Sequence, residues 1–174
     1  MKTTLLFLSV FLSANLLGQL EVTENKSVPT QKIVLQIDSS TVETNYMKCK
    51  TWIQNTFSNP DEVIVSDIVN SSIKIIGVSA STIFVKGYNS KLKFSILFKF
   101  KDDKVKFEVV SLSYHISTSM SWTSFDMTYA ARYKSNGKEK KIVTASQESV
   151  LTYLNDLYAG FNKIMVAEDT DDDW

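Results

Sequence analysis

The residues able to do covalent or metal chemistry are few in this chain, and they stand alone. His115 is the sole histidine of 174 residues and Cys49 the sole cysteine. A Ser-His-Asp triad would have to be built on His115, yet no Gly-x-Ser-x-Gly elbow accompanies it. One imidazole and one thiol fall short of the ligand set of a zinc site. Cys49 lies on an apolar stripe, where a free cysteine behaves as a small buried hydrophobe and not as a nucleophile. Asp169, Asp171, Asp172 and Asp173 could collect calcium, but they lack the glycine and closing glutamate of an EF-hand loop and read as a solvated tail. A glycine-rich phosphate loop is missing as well. The expectation is a protein that is not an enzyme and has no catalytic residue, metal or cofactor.

Recognition is the remaining chemistry. In the strand pair read below, Lys91, Lys93, Lys99, Lys101, Lys104 and Lys106 share one polar face, with His115 opposite Lys91. Such a face could receive an anion or polyanion; lysines on an exposed sheet also maintain solubility and discourage edge pairing. A Ser- and Thr-rich stretch, residues 117–125, adds Met120, Trp122 and Phe125. Candidate partner contacts are thus Met120, Trp122, Phe125, Lys93, Lys99 and Lys106. Nineteen basic residues balance nineteen acidic ones, so no net field favours nucleic acid, and none is expected as a partner.

The elements that must position these residues follow from periodicity. Ile33, Leu35 and Ile37 alternate with polar residues as a half-buried strand does. Ser40 and Glu43 form a capping-box pattern, and Val42, Tyr46, Cys49, Ile53 and Phe57 recur as one helical stripe that Asn59-Pro60 should stop. Residues 63–69 and 73–80 read as strands joined by Asn70-Ser71-Ser72, with Gly77 marking a bend or bulge. Residues 83–88 extend this strand or begin a loop. Leu92, Phe94, Ile96, Phe98 and Phe100 face one way, and a turn at Asp102-Asp103 pairs Phe100 with Val105, Phe98 with Phe107 and Ile96 with Val109. Apolar parity then shifts to Leu112, Tyr114 and Ile116. One extra residue near Val109-Val110, a β-bulge, restores it by pairing Phe94 with Leu112 and Leu92 with Tyr114. Met127, Tyr129, Ala131 and Tyr133 alternate again, and Asn136-Gly137 signals a type I′ hairpin returning through Ile142. Thr144 and Gln147 offer a second capping box, opening a helix with Val150, Leu151, Leu154, Leu157, Tyr158, Phe161, Ile164 and Met165 on a broad apolar face.

The N-terminus reads as a secretory signal peptide. Lys2 supplies the basic start, residues 5–17 an uncharged, mostly apolar run, and Gly18-Gln19 the small-residue boundary. The run is short for a membrane span, which needs roughly 20 apolar residues. With no cysteine near the boundary, a lipid anchor is excluded. The expected layout is a signal peptide over 1–18, a polar leader over 19–31, one α+β domain over 32–166 with an insertion at 117–141, and an acidic tail over 167–174. Strands with alternating faces and two one-sided helices imply a twisted antiparallel sheet carrying both helices on one face, in the order β-α-β-β-β-β-α. The product should be secreted or periplasmic, with no transmembrane span.

The opening strand Lys32-Ile-Val-Leu-Gln-Ile, the helix with Trp52 and Phe57, Asp67, Ile75-Ile76-Gly77 and the hairpin from Leu92 to Phe107 together resemble a family of exported bacterial domains of unknown function with a TATA-binding-protein-like fold. The resemblance spans roughly residues 31–116 and, more loosely, the final helix. It implies a twisted antiparallel sheet backed by helices and supplies no catalytic residue. Function lives in sites and not in folds, so the fold name does not imply DNA binding. Two functions follow: a binding or interaction module of the cell envelope for a protein or other envelope component, or a small apolar-ligand carrier with a pocket lined by Phe94, Phe98 and Phe107.

Overall fold

Alternation of apolar residues over two long strands organises the molecule. In the computed structural model, β5 (Tyr88–Lys101) and β6 (Lys104–Ile116) pair antiparallel across the Asp102-Asp103 turn. Phe100 opposes Val105, Phe98 opposes Phe107 and Ile96 opposes Val109; beyond them Phe94 opposes Leu112 and Leu92 opposes Tyr114. The register shifts between Ser95 and Ile96, which face Ser111 and Val109, so Val110 is the extra residue of the expected bulge. All the apolar partners on that face are buried. The structure describes Leu20 and residues 31–80, 82–116 and 121–167; the expected signal peptide, most of the leader, Met120 and the tail from residue 168 lie outside the described residues.

The sheet runs β1-β6-β5-β3-β2, with β1 at Gln31–Gln36, β2 at Ile64–Ile68 and β3 at Ser72–Val78. A short β4 (Ile83–Val85) pairs with the start of β5, and β7 (Thr123–Ser124) with β6. Lys86 and Gly87, both at positive φ, make the two-residue β4–β5 turn. The expected bend at Gly77 is not formed: Gly77 pairs with Phe94 inside an unbroken register. A Cβ there would lie 2.5 Å from Phe94 Cζ. The glycine therefore makes room for a ring instead of turning the chain.

Helix α1 (Val42–Thr56) starts one residue later than the Ser40 capping box implies. Thr41 is the N-cap, its hydroxyl accepting the Thr44 N–H, while Ser40 donates to the Ile37 carbonyl. Two acids of the β5–β6 turn complete the cap: Asp102 accepts from Val42 N–H at 2.8 Å and Asp103 from Ser40 N–H at 3.1 Å. Negative charge is favourable there because helical N–H groups point outward unpaired. The stripe Tyr46, Cys49 and Ile53 is buried, joined by Trp52 and Asn45. Pro60 opens a single turn, α2 (Pro60–Val63), after α1 has ended.

Helix α4 (Lys141–Met165) buries Val150, Leu154, Tyr158, Phe161 and Met165 against the same sheet face. It begins ahead of Thr144, so the second capping box is absent too: Thr144 donates to Glu139, and Gln147 serves another purpose. Phe98 anchors the core between the layers, with ring centroids 5.6 Å from Trp52, 5.4 Å from Phe107 and 5.1 Å from Phe161. Leu20, in the expected leader, is docked instead of free: it is buried, and its N–H and carbonyl both bond to the Asn155 side chain.

The insertion departs most from expectation. The strand over 127–133 is replaced by a helical turn, α3 (Tyr129–Arg132), capped by Thr128. Tyr133 and Glu139 form an isolated bridge, and Gly137 alone has positive φ at the turn, so a type I′ geometry is not made. Gln147 is the cause. Its buried amide donates to the carbonyls of Asp126 (2.9 Å) and Thr128 (3.1 Å), and its oxygen accepts from Arg132 Nε (2.7 Å). These bonds fold the segment onto α4 and occupy carbonyls a strand would need. The order expected from sequence thus gains α2, β4, β7 and α3. Among the described residues no helix is long and apolar enough to cross a membrane.

Candidate functional surface

Because α1 and α4 pack on one face of the sheet, the other face is set by the alternate residues of the same strands. On β5 and β6 these include Lys91, Lys93, Lys99, Lys101, Lys104 and Lys106, interrupted by Ser95 and half-buried Leu97. The cross-strand partners add Lys32 of β1 and Lys74 of β3 together with the exposed apolar residues Val34, Ile76 and Val78. Glu108, joined to Lys106 in an ion pair, is the acid that shares this face among the described residues. The turn acids Asp102 and Asp103 are drawn underneath to cap α1. Asp67 points to the helix side as well, accepting from Tyr46 Oη at 2.9 Å and pairing with Lys50 at 3.2 Å. The bond to Asp67 raises the pKa of Lys50.

Two lysine pairs stand directly opposite each other, Lys99 with Lys106 and Lys101 with Lys104. Like charges in facing positions are destabilising by roughly 0.2–1 kcal/mol a pair. Glu108 offsets the first pair through Lys106, whereas the second, Lys101 with Lys104, bears a cost that solubility, served by mixed signs, does not require.

Toward the other end of β5 the surface changes character. Trp122 lies on the sheet with its ring 4.9 Å from Lys93 Nζ and 5.5 Å from the His115 ring, and it remains 38% exposed. A cation against an indole face is attracted by the ring quadrupole. Lys91 bonds the carbonyls of Ser79 and Ala80, and His115 stands opposite it, as the strand register requires. Ser95, Ser111, Ser113 and Ser124 lie between Trp122 and the paired lysines, Ser95 facing Ser111 and Ser113 facing Lys93 and Ser124.

Of the residues singled out from sequence, Lys93, Lys99, Lys106 and Trp122 therefore share this face. Phe125 does not: it is buried, edge-on to Tyr114 at 6.0 Å, because β7 turns it inward. Phe94, Phe98 and Phe107 are fully buried; Phe98 meets Phe107 edge-on, and Phe94 touches Phe57 and Tyr153. These rings fill the space a carrier pocket would need. A cavity of about 310 Å³ lies elsewhere, by the insertion, lined by Lys86, Tyr114, Asp126 and Lys140 among others. Cys49 is completely buried, and burial raises its thiol pKa well above the ordinary range.

No family model matches this chain, and no curated protein matches it. Solved structures do. The chain is similar to a DUF4468 family protein from Bacteroides ovatus, with 12% identity and a TM-score of 0.69 over 86% of this chain and 92% of that one. It is also similar to a TBP-like protein from Parabacteroides distasonis, with 10% identity and a TM-score of 0.63 over 83% and 96% of the two chains. At such identities the likeness establishes the fold: an α+β, TBP-like antiparallel sheet with helices, as the residues resemble. Neither name assigns an activity.

Proposed function

We propose that the chain is an exported binding module of the cell envelope that meets its partner through the open sheet face. The observation that carries this reading is the asymmetry of the sheet. One face is closed by α1 and α4, whereas the other gathers Lys93, Lys99, Lys106 and Trp122 with, among the described residues, a single glutamate that is already paired. A one-sided field of this kind raises the local concentration of an oppositely charged partner and orients its approach. Export is supported by the basic start at Lys2, the apolar run and the Gly18-Gln19 boundary. Leu20, just after that boundary, is docked on α4, which suits a mature chain beginning there.

The test has two arms. Intact-mass analysis of periplasmic or secreted material should give a chain starting near Gln19; Met1 retained on soluble cytoplasmic protein would contradict export. Purified mature protein, immobilised, should retain an envelope component at low salt and release it as salt is raised. Retention indifferent to salt would remove the charged face from the account.

A further inference from the structure

We infer that the partner is an acidic polysaccharide, bound lengthwise along β5 and β6; this rests on the open face being the contact surface. The face is long. Lys93 and Lys101 are about eight residues apart on one continuous strand, which at about 3.4 Å per residue is roughly 27 Å. A small anion would meet one or two ammonium groups and leave the remainder in mutual repulsion. An extended polymer with charge at regular intervals meets all of them.

Three features along that length match a carboxylated sugar chain. Lys99, Lys101 and Lys104, beside the Glu108-paired Lys106, form a cationic block able to neutralise successive carboxylates. Beyond the Leu97–Glu108 pair, exposed Ser111 of β6 and Ser124 of β7 carry small hydroxyls, donors and acceptors alike, at a level where a ring could lie close to the backbone. At the far end Trp122 is held against the sheet by Lys93 and His115 yet stays partly exposed. That is a flat apolar platform for the C–H face of a pyranose, rigid and therefore cheap in entropy on binding. A lipid surface would use exposed Val34, Ile76 and Val78 of this face instead of the pinned tryptophan, so the vesicle comparison and Trp122→Ala separate the two. Duplex nucleic acid hides its ring faces in the stack and would leave Trp122 unused.

The experiment measures binding of the mature protein to polygalacturonate by affinity electrophoresis, with dextran, phosphatidylglycerol vesicles, a single-stranded oligonucleotide and poly-glutamate as comparisons. Polygalacturonate should retard the protein, and dextran should not. Lys99→Glu with Lys106→Glu should weaken binding on the order of tenfold, an effect that added salt erodes. Trp122→Ala should weaken it several-fold at unchanged net charge and abolish the fluorescence change on binding. Comparable binding of vesicles, oligonucleotide or poly-glutamate, or polygalacturonate binding indifferent to Trp122→Ala, would overturn the polysaccharide assignment. If an envelope component is still retained through the lysine face while polygalacturonate is not, the partner class is wrong and the contact surface stands. If the lysine reversals affect neither, both fail.

Discussion

The two faces of this sheet are made from the same two strands and obey opposite rules. Inward, Phe94, Phe98, Phe107, Val109 and Leu112 alternate along β5 and β6 and are packed without exposure or nearly so. The three phenylalanines meet aromatic rings of the helices, Phe98 against Trp52 and Phe161, Phe107 against Tyr158 and Phe94 against Tyr153. Outward, one residue away in sequence, lysine faces lysine and nothing from the helices intervenes. The inner face lowers the free energy of the fold, and the outer face raises it slightly. Core packing and exposed charge are thus carried by alternate residues of a single hairpin, and the bulge at Val110 keeps the two sets from mixing. A one-residue slip would exchange them.

The largest effects should come from the inner face. Phe98→Ala should cost about 3–5 kcal/mol in urea unfolding, and Phe94→Ala a similar amount. Phe94→Ala and Leu112→Ala, facing across the bulge, should also couple in a double-mutant cycle by roughly 0.5–3 kcal/mol. Simple additivity would show that the bulge lies elsewhere. Gln147→Ala removes the donor shared by the Asp126 carbonyl and the buried Thr128 carbonyl, together with the acceptor of Arg132 Nε, and should cost about 2–3 kcal/mol. Hydrogen exchange should rise first over residues 126–132, and uniform loosening would contradict the pinning role.

Gly77→Ala forces a methyl group onto the Phe94 ring and should cost about 1–3 kcal/mol. Pairing it with Phe94→Leu should recover part of that loss. Cys49, its thiol pKa raised by burial, should resist alkylation in the native protein and react rapidly in urea. The raised value also means that its contribution to stability is full below the ordinary thiol range and is lost as pH climbs above it. Smallest and opposite in sign is Lys101→Glu. Facing Lys104, it replaces a repulsive pair with an attractive one and should stabilise by roughly 0.2–1 kcal/mol. A destabilisation would mean that the outer face is not held apart as described.

The hairpin could be read from sequence because its rules are local: a strict period of two, a turn at Asp102-Asp103 and a visible change of parity. The buried stripe of α1 and the apolar face of α4 were legible for the same reason. Where tertiary bonds outweigh local preference, the reading missed. Thr144 and Gln147 have a capping-box spacing, but Gln147 is recruited across space to residues 126–132 and the helix starts ahead of it. The mirror-type turn falls at Lys86-Gly87 and not at Asn136-Gly137, although lysine favours no positive φ. The Lys86 N–H is held at 2.7 Å by Ser146 of α4, a partner 60 residues away. Gly77 signals only that a side chain is unwanted; that the intruder is the Phe94 ring depends on strand register. On the candidate surface Lys93, Lys99, Lys106 and Trp122 were found by parity and composition. Phe125 was misjudged because one residue of strand pairing decides which way it faces.

The account stands on the outer face being the contact surface, and a charge-matched comparison tests that directly. Lys99→Glu with Lys106→Glu changes the net charge as much as Lys141→Glu with Lys163→Glu on exposed positions of α4. Retention of the envelope component on immobilised protein, measured for both at one ionic strength, should fall on the order of tenfold for the sheet pair and stay near wild type for the helix pair. Circular dichroism of both should match wild type. Equal loss from the two pairs, or none from the sheet pair, would contradict the assignment of this face to recognition.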